Sequence, residues 1–144
     1  MGASRRGFTL VEAVLVLALT GLFVAGGAMT VQRLAPRFHL QSGIWEVTSG
    51  LSQARFRAIM SGAPVRVRFV PSGFVLERYD EATQAWRTSR TASLPGVAVR
   101  ANNAPVFHPQ GTVSGLASIT LSNSRGAYRI TIAITGRVRT TRLV

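Results

Sequence analysis

The sequence predicts an α+β fold in which one long N-terminal helix packs on a C-terminal antiparallel β domain. Three observations carry that expectation. Residues 8–31 form an apolar run whose single charge is Glu12. Beyond it, apolar residues recur at alternating spacings of three and four as far as Ala58, the repeat of one buried helical stripe. After Pro64 the apolar repeat changes to two, the repeat of a half-buried strand.

The bulk composition sets the frame for these elements. A chain of 144 residues fits one domain plus one further element. Apolar residues make up 47% and charged residues only 15%, an imbalance that places part of the apolar material outside a soluble core. The formal net charge is +12, and all 17 basic residues are arginine. The missing lysine reads first as genomic composition. Arginine nonetheless grips phosphates well, because its planar fork donates two parallel hydrogen bonds. A surface this basic attracts nucleic acid or anionic lipid heads. With no cysteine, the fold needs no disulfide, and the redox compartment stays open.

The first element is the apolar run. At about 1.5 Å per residue, residues 8–31 are long enough to cross a hydrocarbon core of about 30 Å. Arg5 and Arg6 precede the run and Arg33 and Arg37 follow it, so flanking charge alone does not fix orientation strongly. An ordinary signal peptide is the competing reading, with Ala25, Gly26, Gly27 and Ala28 as a small-residue cleavage site. Glu12 argues against it. A carboxylate in a membrane helix costs about 2.5–3.5 kcal/mol at the bilayer centre and less near its edge. Once Arg5 and Arg6 are gone, no cation lies within a turn, so the partner of Glu12 has to come from a neighbouring helix.

The helical repeat continues past the apolar run. Ile44, Val47, Leu51, Ala54 and Ala58 make the stripe, while Gln41, Ser49, Gln53, Arg55 and Arg57 fall largely off it. Pro36 is expected to interrupt and kink the helix, since it removes one intrahelical hydrogen bond. Ser61-Gly62 and then Pro64 close it. A helix over 8–60 is about 80 Å long. Its first half suits lipid or a filament core, and its second half suits packing on a sheet.

The β elements follow in order. Val65, Val67 and Phe69 alternate with Arg66 and Arg68, a half-buried strand. Pro71-Ser72-Gly73 is a turn, and residues 74–79 form the returning strand. Residues 80–84 are a polar turn and 86–89 a third strand. Leu94-Pro95-Gly96 precedes a short strand at 97–100, which Asn102-Asn103-Ala104-Pro105 breaks. Residues 119–121 and 128–134 flank Asn123-Ser124-Arg125-Gly126, a hairpin. The last run, 137–143, is short, basic and alternating. No internal repeat or long linker occurs.

Two ends of the chain carry a resemblance. Arg5-Arg6-Gly7-Phe8-Thr9-Leu10-Val11-Glu12, followed by the apolar run, resembles the type IV prepilin signature. The resemblance implies that a prepilin peptidase cuts after Gly7 and methylates the new N-terminus at Phe8. It also implies that Glu12 pairs with the N-terminal amine of an adjacent subunit. Phe107-His108-Pro109-Gln110-Gly111-Thr112-Val113-Ser114-Gly115 resembles the turn between late strands in the GspH/FimT family of minor pilins and pseudopilins. Gly136-Arg137-Val138-Arg139 resembles the closing motif of that family. The division implied is a cytoplasmic leader at 1–7, a transmembrane and assembly helix at 8–31, an amphipathic helix at 32–61 and an antiparallel β domain at 62–144. The implied location is the inner membrane, crossed once, with the C-terminal domain outside the cytoplasm and the chain assembled into a filament. The implied partners are other pilins or pseudopilins, the peptidase and the membrane itself, with DNA as a further candidate.

No catalytic constellation accompanies this pattern. His39 and His108 are far apart in sequence, and each reads as a surface histidine. Glu77, Asp80 and Glu81 could be imagined as a calcium site, but hard cations want six to eight oxygens, so they read as a solvated turn. No phosphate-cradling glycine loop of the usual spacing occurs. The expectation is a protein that is not an enzyme and holds no cofactor or metal.

The arginines leave two functional readings. From Leu34 onward there are 14 arginines and 4 acids, which is 14 − 4, or about +10. On a strand, Arg137 and Arg139 point the same way about 7 Å apart, close to the phosphate spacing of a nucleic-acid strand. The resemblance implies DNA uptake through this Gly-Arg-x-Arg tail, with Arg142 as a basic neighbour and Arg125 and Arg129 one hairpin away. The bland alternative is charge on an edge strand that prevents aggregation. The first reading is therefore a minor pseudopilin at or near the tip of a type II secretion or type IV pilus filament, priming assembly or contacting cargo. The second is a minor type IV pilin that holds DNA during uptake.

Overall fold

A computed structural model describes residues 9–143, with their side chains except at 24–34. The expected leader, with Gly7 as its expected cleavage residue and Phe8 as the expected new terminus, lies outside the described residues. One α-helix, α1, covers Leu10–Ser61 and contains Pro36. The chain divides into two compact units, Met1–Ala35 and Pro36–Val144.

Thr9 starts the helix. Its hydroxyl accepts the amide of Glu12 at 3.2 Å, and its carbonyl accepts the amide of Ala13 at 3.1 Å. That is N-cap geometry, which satisfies one of the orphan amides of the first turn. Leu10, Val11, Val14, Leu15, Val16, Leu17, Leu19, Leu22 and Phe23 are all exposed. They occupy every side of the helix, and a helix that is apolar all round belongs in apolar surroundings rather than water. Among the described residues, no helix is long and apolar enough to cross a membrane. The apolar run of the sequence, 8–31, extends past the described side chains at both ends.

The second unit packs around the rest of α1. All five residues of the expected stripe are buried, Ile44 at 8% exposure and Val47, Leu51, Ala54 and Ala58 at 1% or less. Two antiparallel sheets cover them. The first sheet runs β3-β2-β1-β5-β6, from β1 (Val65–Val70), β2 (Gly73–Asp80), β3 (Ala85–Ser93), β5 (Val106–Phe107) and β6 (Val113–Ser114). The second runs β4-β7-β8-β9, from β4 (Ala98–Ala101), β7 (Ser118–Asn123), β8 (Gly126–Ile132) and β9 (Val138–Leu143). Phe74, Leu76, Val65 and Val67 line the core from the first sheet, and Val99, Ile119, Leu121, Ile130 and Ile132 from the second.

Small residues on α1 let the sheets approach. A Cβ added at Gly50 would overlap the Phe74 ring, and one at Gly43 would press on Val97 at 3.3 Å. Both residues lie inside a helix, where glycine costs about 1 kcal/mol relative to alanine. Close packing of a fully buried phenylalanine offsets that cost at Gly50.

Two expectations are corrected by the sheets. β3 is nine residues long rather than the four at 86–89. It is the edge of its sheet and mostly exposed, so little apolar alternation marks its second half. There Arg90 donates to Gln53 Oε1 at 2.7 Å and also ion-pairs with Glu46, tying the edge to α1 through polar atoms. The stretch 107–115, read as a turn, holds the two-residue strands β5 and β6, which pair with each other. Strands that short carry no periodic signal.

Glu77 is the third correction. Rather than belonging to a solvated turn, it sits in β2 at 6% exposure. Arg66 Nη2 and Arg68 Nη2 approach its carboxylate at 2.7 and 3.1 Å, and their Nε atoms donate at 2.8 and 3.2 Å. Arg66 also lies 4.4 Å from the centre of the Trp86 ring, within cation–π range. The charges that alternate along β1 thus clamp one buried carboxylate. Burial pushes the Glu77 carboxyl up, but the hydrogen bonds and charges of Arg66 and Arg68 outweigh it and hold the group below its ordinary value.

A carboxyl with a lowered folded pKa stabilises the fold at pH values above its unfolded pKa, and that contribution is lost as pH falls through the folded value. Thermal unfolding of wild type and Glu77→Gln is therefore expected to differ most at neutral pH, by about 1–2 kcal/mol, and to converge below the ordinary value of 4.5. A gap that persists unchanged under acid conditions would remove the ionic account of this cluster. Asp80, lowered through Thr83, the Ala82 amide and Arg87, adds an acid dependence common to both proteins.

Candidate functional site

The C-terminal motif begins at a turn. Gly136 has φ +77°, and its amide donates to Ala133 O at 2.8 Å while Ala133 N donates to Arg137 O at 2.9 Å. A Cβ at Gly136 would meet the Arg55 guanidinium at 3.0 Å. Gly111, in the 107–115 stretch, also faces Arg55, at 3.6 Å. The two motifs that carried the resemblance therefore converge on one α1 arginine. Gly136 is there for backbone conformation and close approach.

Strand register then sorts the arginines. Val138, Thr140 and Arg142 pair with Ile132, Ile130 and Tyr128. Ile130 and Ile132 are core residues, so this parity faces α1. Arg139 pairs with Thr131 and Thr141 with Arg129, which puts Arg139 on the outer face, with Arg137 two residues before it. Arg129 also pairs with Thr120, which pairs with Arg100. The outer face of the second sheet thus carries Arg100, Arg129 and Arg139 among serines and threonines, and Arg137, just before β9, lines a shallow cleft with Thr131 and Arg139. All four are exposed. Among the described residues, no carboxylate ion-pairs with any of them.

Arg142 does not join that group. It lines a cleft of about 450 Å³ with Arg37, Leu40, Gln41, Arg125 and Tyr128. Asn123 Nδ2 donates to Pro36 O at 2.6 Å, while Gly136, beyond the other end of β8, packs on Arg55. β8 and β9 therefore lie lengthwise along α1, and Arg142 is at the Pro36 end while Arg137 and Arg139 are at the other. The sequence reading placed all three arginines together, and the pleat separates them.

Other features escaped the sequence reading. Thr9-x-x-Glu12 has the spacing of a capping box, a signal that was present and unused. Glu12 is thus the third residue of α1's first turn, where the positive helix end favours a carboxylate. Phe38, Trp45, Phe56 and Met60 are exposed at 62–69%. Phe38, Trp45 and Phe56 are spaced seven and eleven residues apart, close to two and three full turns, so they form an aromatic stripe on the side of α1 away from the core. His39 is exposed beside Gly96. The His108 ring hydrogen-bonds Ser114 Oγ at 2.7 Å, joining the ends of the 107–115 stretch. Among the described residues, no group of three or more His, Cys, Asp or Glu could hold a metal ion.

Comparison with known proteins gives this geometry its context. The profile of the type II transport protein GspH family matches residues 46–136. That of the prokaryotic N-terminal methylation motif matches residues 2–28. No curated protein matches the chain. Among solved structures, the minor pseudopilin EpsH from the type 2 secretion system of Vibrio cholerae is similar, with TM-score 0.58 and 15% identity over 74% of this chain and 95% of that one. The type IV minor pilin FimU of Pseudomonas aeruginosa gives TM-score 0.60 and 16% identity over 73% of this chain and 90% of that one. At these identities the likeness is one of fold.

Within the motif, the glycine and the arginines are expected to separate by experiment. Gly136→Ala forces an L-residue into the left-handed region against Arg55 and should cost about 1–2 kcal/mol. Arg139→Ala removes an exposed side chain and should stay within about 0.5 kcal/mol of wild type. Thermal unfolding of the two variants checks this, and equal midpoints would deny Gly136 its structural role.

Proposed function

Because the chain belongs to the type II transport protein GspH family, and so to the pilin-like subunits of type II secretion and type IV pilus filaments, we propose that it is a minor subunit at or near the filament tip, where it primes assembly. The observation that carries the filament role is the helix over 10–23, apolar on every side, joined to a unit with a core of its own. Such a helix is stable in lipid before assembly and among other apolar helices after it. In this reading, residues 8–31 span the inner membrane, the peptidase cuts after Gly7 and methylates Phe8, and Glu12 pairs with the terminal amine of an adjacent subunit. The role is structural, not catalytic.

Net charge supports a minor role. The part beyond Leu34 carries about +10, and side-by-side copies of so basic a head repel one another. A single copy among less basic subunits avoids that repulsion. The aromatic stripe of Phe38, Trp45 and Phe56 supplies an apolar face for a neighbouring subunit.

In cells that build the filament, Glu12→Ala is expected to lower incorporation roughly tenfold or more, as loss of a pair in lipid implies. Trp45→Glu should lower it without changing membrane insertion or the thermal midpoint. Recovery of both variants in filaments at wild-type levels would refute the assembly argument.

A second reading has its own observation, the outer face of Arg100, Arg129 and Arg139 with Arg137 beside it, with which no carboxylate ion-pairs among the described residues. We propose it as a DNA-holding surface that grips phosphates without reading bases. Titration of residues 36–144 with duplex DNA should give affinity that falls steeply with salt. Arg137→Ala/Arg139→Ala should reduce the salt slope by about 0.9 for each phosphate that is no longer neutralised. An unchanged slope would make these arginines surface charge and leave the first reading alone.

A further inference from the structure

Arg37, Arg125 and Arg142 come from α1, the β7–β8 turn and β9, and they line one cleft with Gln41, Tyr128 and the buried Leu40. Among the described residues, none that lines the cleft is acidic. The turn that bears Arg125 is fixed twice, by Asn123 Oδ1 accepting the Arg125 amide at 2.9 Å and by Asn123 Nδ2 donating to Pro36 O at 2.6 Å. The cleft is therefore built on ordered backbone, with its arginines on three separate elements.

Its place along the chain narrows the ligand. Arg37 lies six positions beyond Val31, the end of the apolar run. Chain connectivity alone keeps Arg37 within about 20 Å of Val31. Anionic headgroups lie within that zone, and their attraction acts over about a Debye length of 8–10 Å. Arginine forks match phosphate oxygens in pairs, and the Gln41 amide and Tyr128 hydroxyl can donate to the remaining oxygens.

We propose that this cleft binds the phosphate of an anionic phospholipid headgroup and so seats the folded unit on the membrane surface before the subunit enters a filament. The proposal rests on the reading that residues 8–31 lie in the membrane. It is independent of the outer arginine face, because Arg142 is on the opposite side of β9.

The test uses the full chain, purified in detergent from membranes containing phosphatidylglycerol, with bound lipid counted by native mass spectrometry. Wild type should retain phosphatidylglycerol in preference to phosphatidylethanolamine. Arg37→Ser/Arg142→Ser should retain roughly tenfold less, as loss of two arginines at an anionic surface implies. Arg78→Ser/Arg87→Ser, which removes the same charge from the first sheet, should retain as much as wild type. Equal loss in both double variants would overturn the proposal in favour of general charge. Displacement of the lipid by millimolar inorganic phosphate would overturn it in favour of a free-phosphate site. Loss of duplex DNA binding in Arg37→Ser/Arg142→Ser with lipid retention intact would overturn it in favour of nucleic acid. Alkaline extraction of the membranes distinguishes failure of the cleft from failure of the membrane reading beneath it. Release of the wild-type chain would sink the membrane reading itself, whereas a chain that stays in the membrane but retains lipid independently of Arg37 and Arg142 would sink only the cleft.

Discussion

The second unit depends on one close approach, the stripe from Leu40 to Ala58 against two sheets that each need a covered face. Neither sheet closes on itself, and both place their large apolar residues toward α1. One helix face therefore provides most of the cover for both. That explains why Gly43, Gly50, Ala54 and Ala58 stand where larger residues would bury more area. At Gly50 any side chain would displace the Phe74 ring, which is fully buried. Interiors packed at crystal density tolerate such insertions poorly.

Charge is divided between the sheets in a way that net charge conceals. The acids of the second unit are Glu46, Glu77, Asp80 and Glu81. The first three pair with Arg90, with Arg66 and Arg68, and with Arg87, all of them arginines of the first sheet. The second sheet receives none of this compensation. Among the described residues, no carboxylate ion-pairs with the arginines of its outer face, and these lie apart from Arg142 because β9 alternates sides. A basic protein of this kind presents distinct arginine groups, and each has to be tested on its own.

Much of this was legible in the sequence. The α1 stripe, the first hairpin and the β7–β8 hairpin follow from apolar spacing and turn residues, since their periods are long enough to read. What was not legible has a common cause. β3 runs on as a polar edge strand, β5 and β6 are too short for a period, and Glu77 became buried through partners on another strand. The C-terminal arginines show the limit most clearly. Sequence adjacency grouped Arg142 with Arg137 and Arg139, but a residue's face in a strand is set by parity and register. Only the pairing of Arg142 with Tyr128 shows that it turns toward α1.

Glu12 carries the last step. Thr9 caps the Glu12 amide and so starts the helix, and the positive helix end gives the carboxylate local support that apolar patterning alone does not reveal. The support is worth about 0.3–1 kcal/mol for the dipole. The cost of the charge within a bilayer is about 2.5–3.5 kcal/mol at the centre, falling toward the edge. Near the edge the two are comparable, so in the proposed membrane reading Glu12 would be tolerable in a lone helix close to the headgroups. Deeper in an apolar environment the dipole is insufficient, and a cation is needed. Withdrawal from the membrane edge into a bundle of apolar helices is a move of that second kind. In the proposed filament, the carboxylate that a single inserted chain could carry would thus become, on assembly, a charge that only a partnered position satisfies, which is the physical reason for proposing that it acts at the assembly step rather than at insertion.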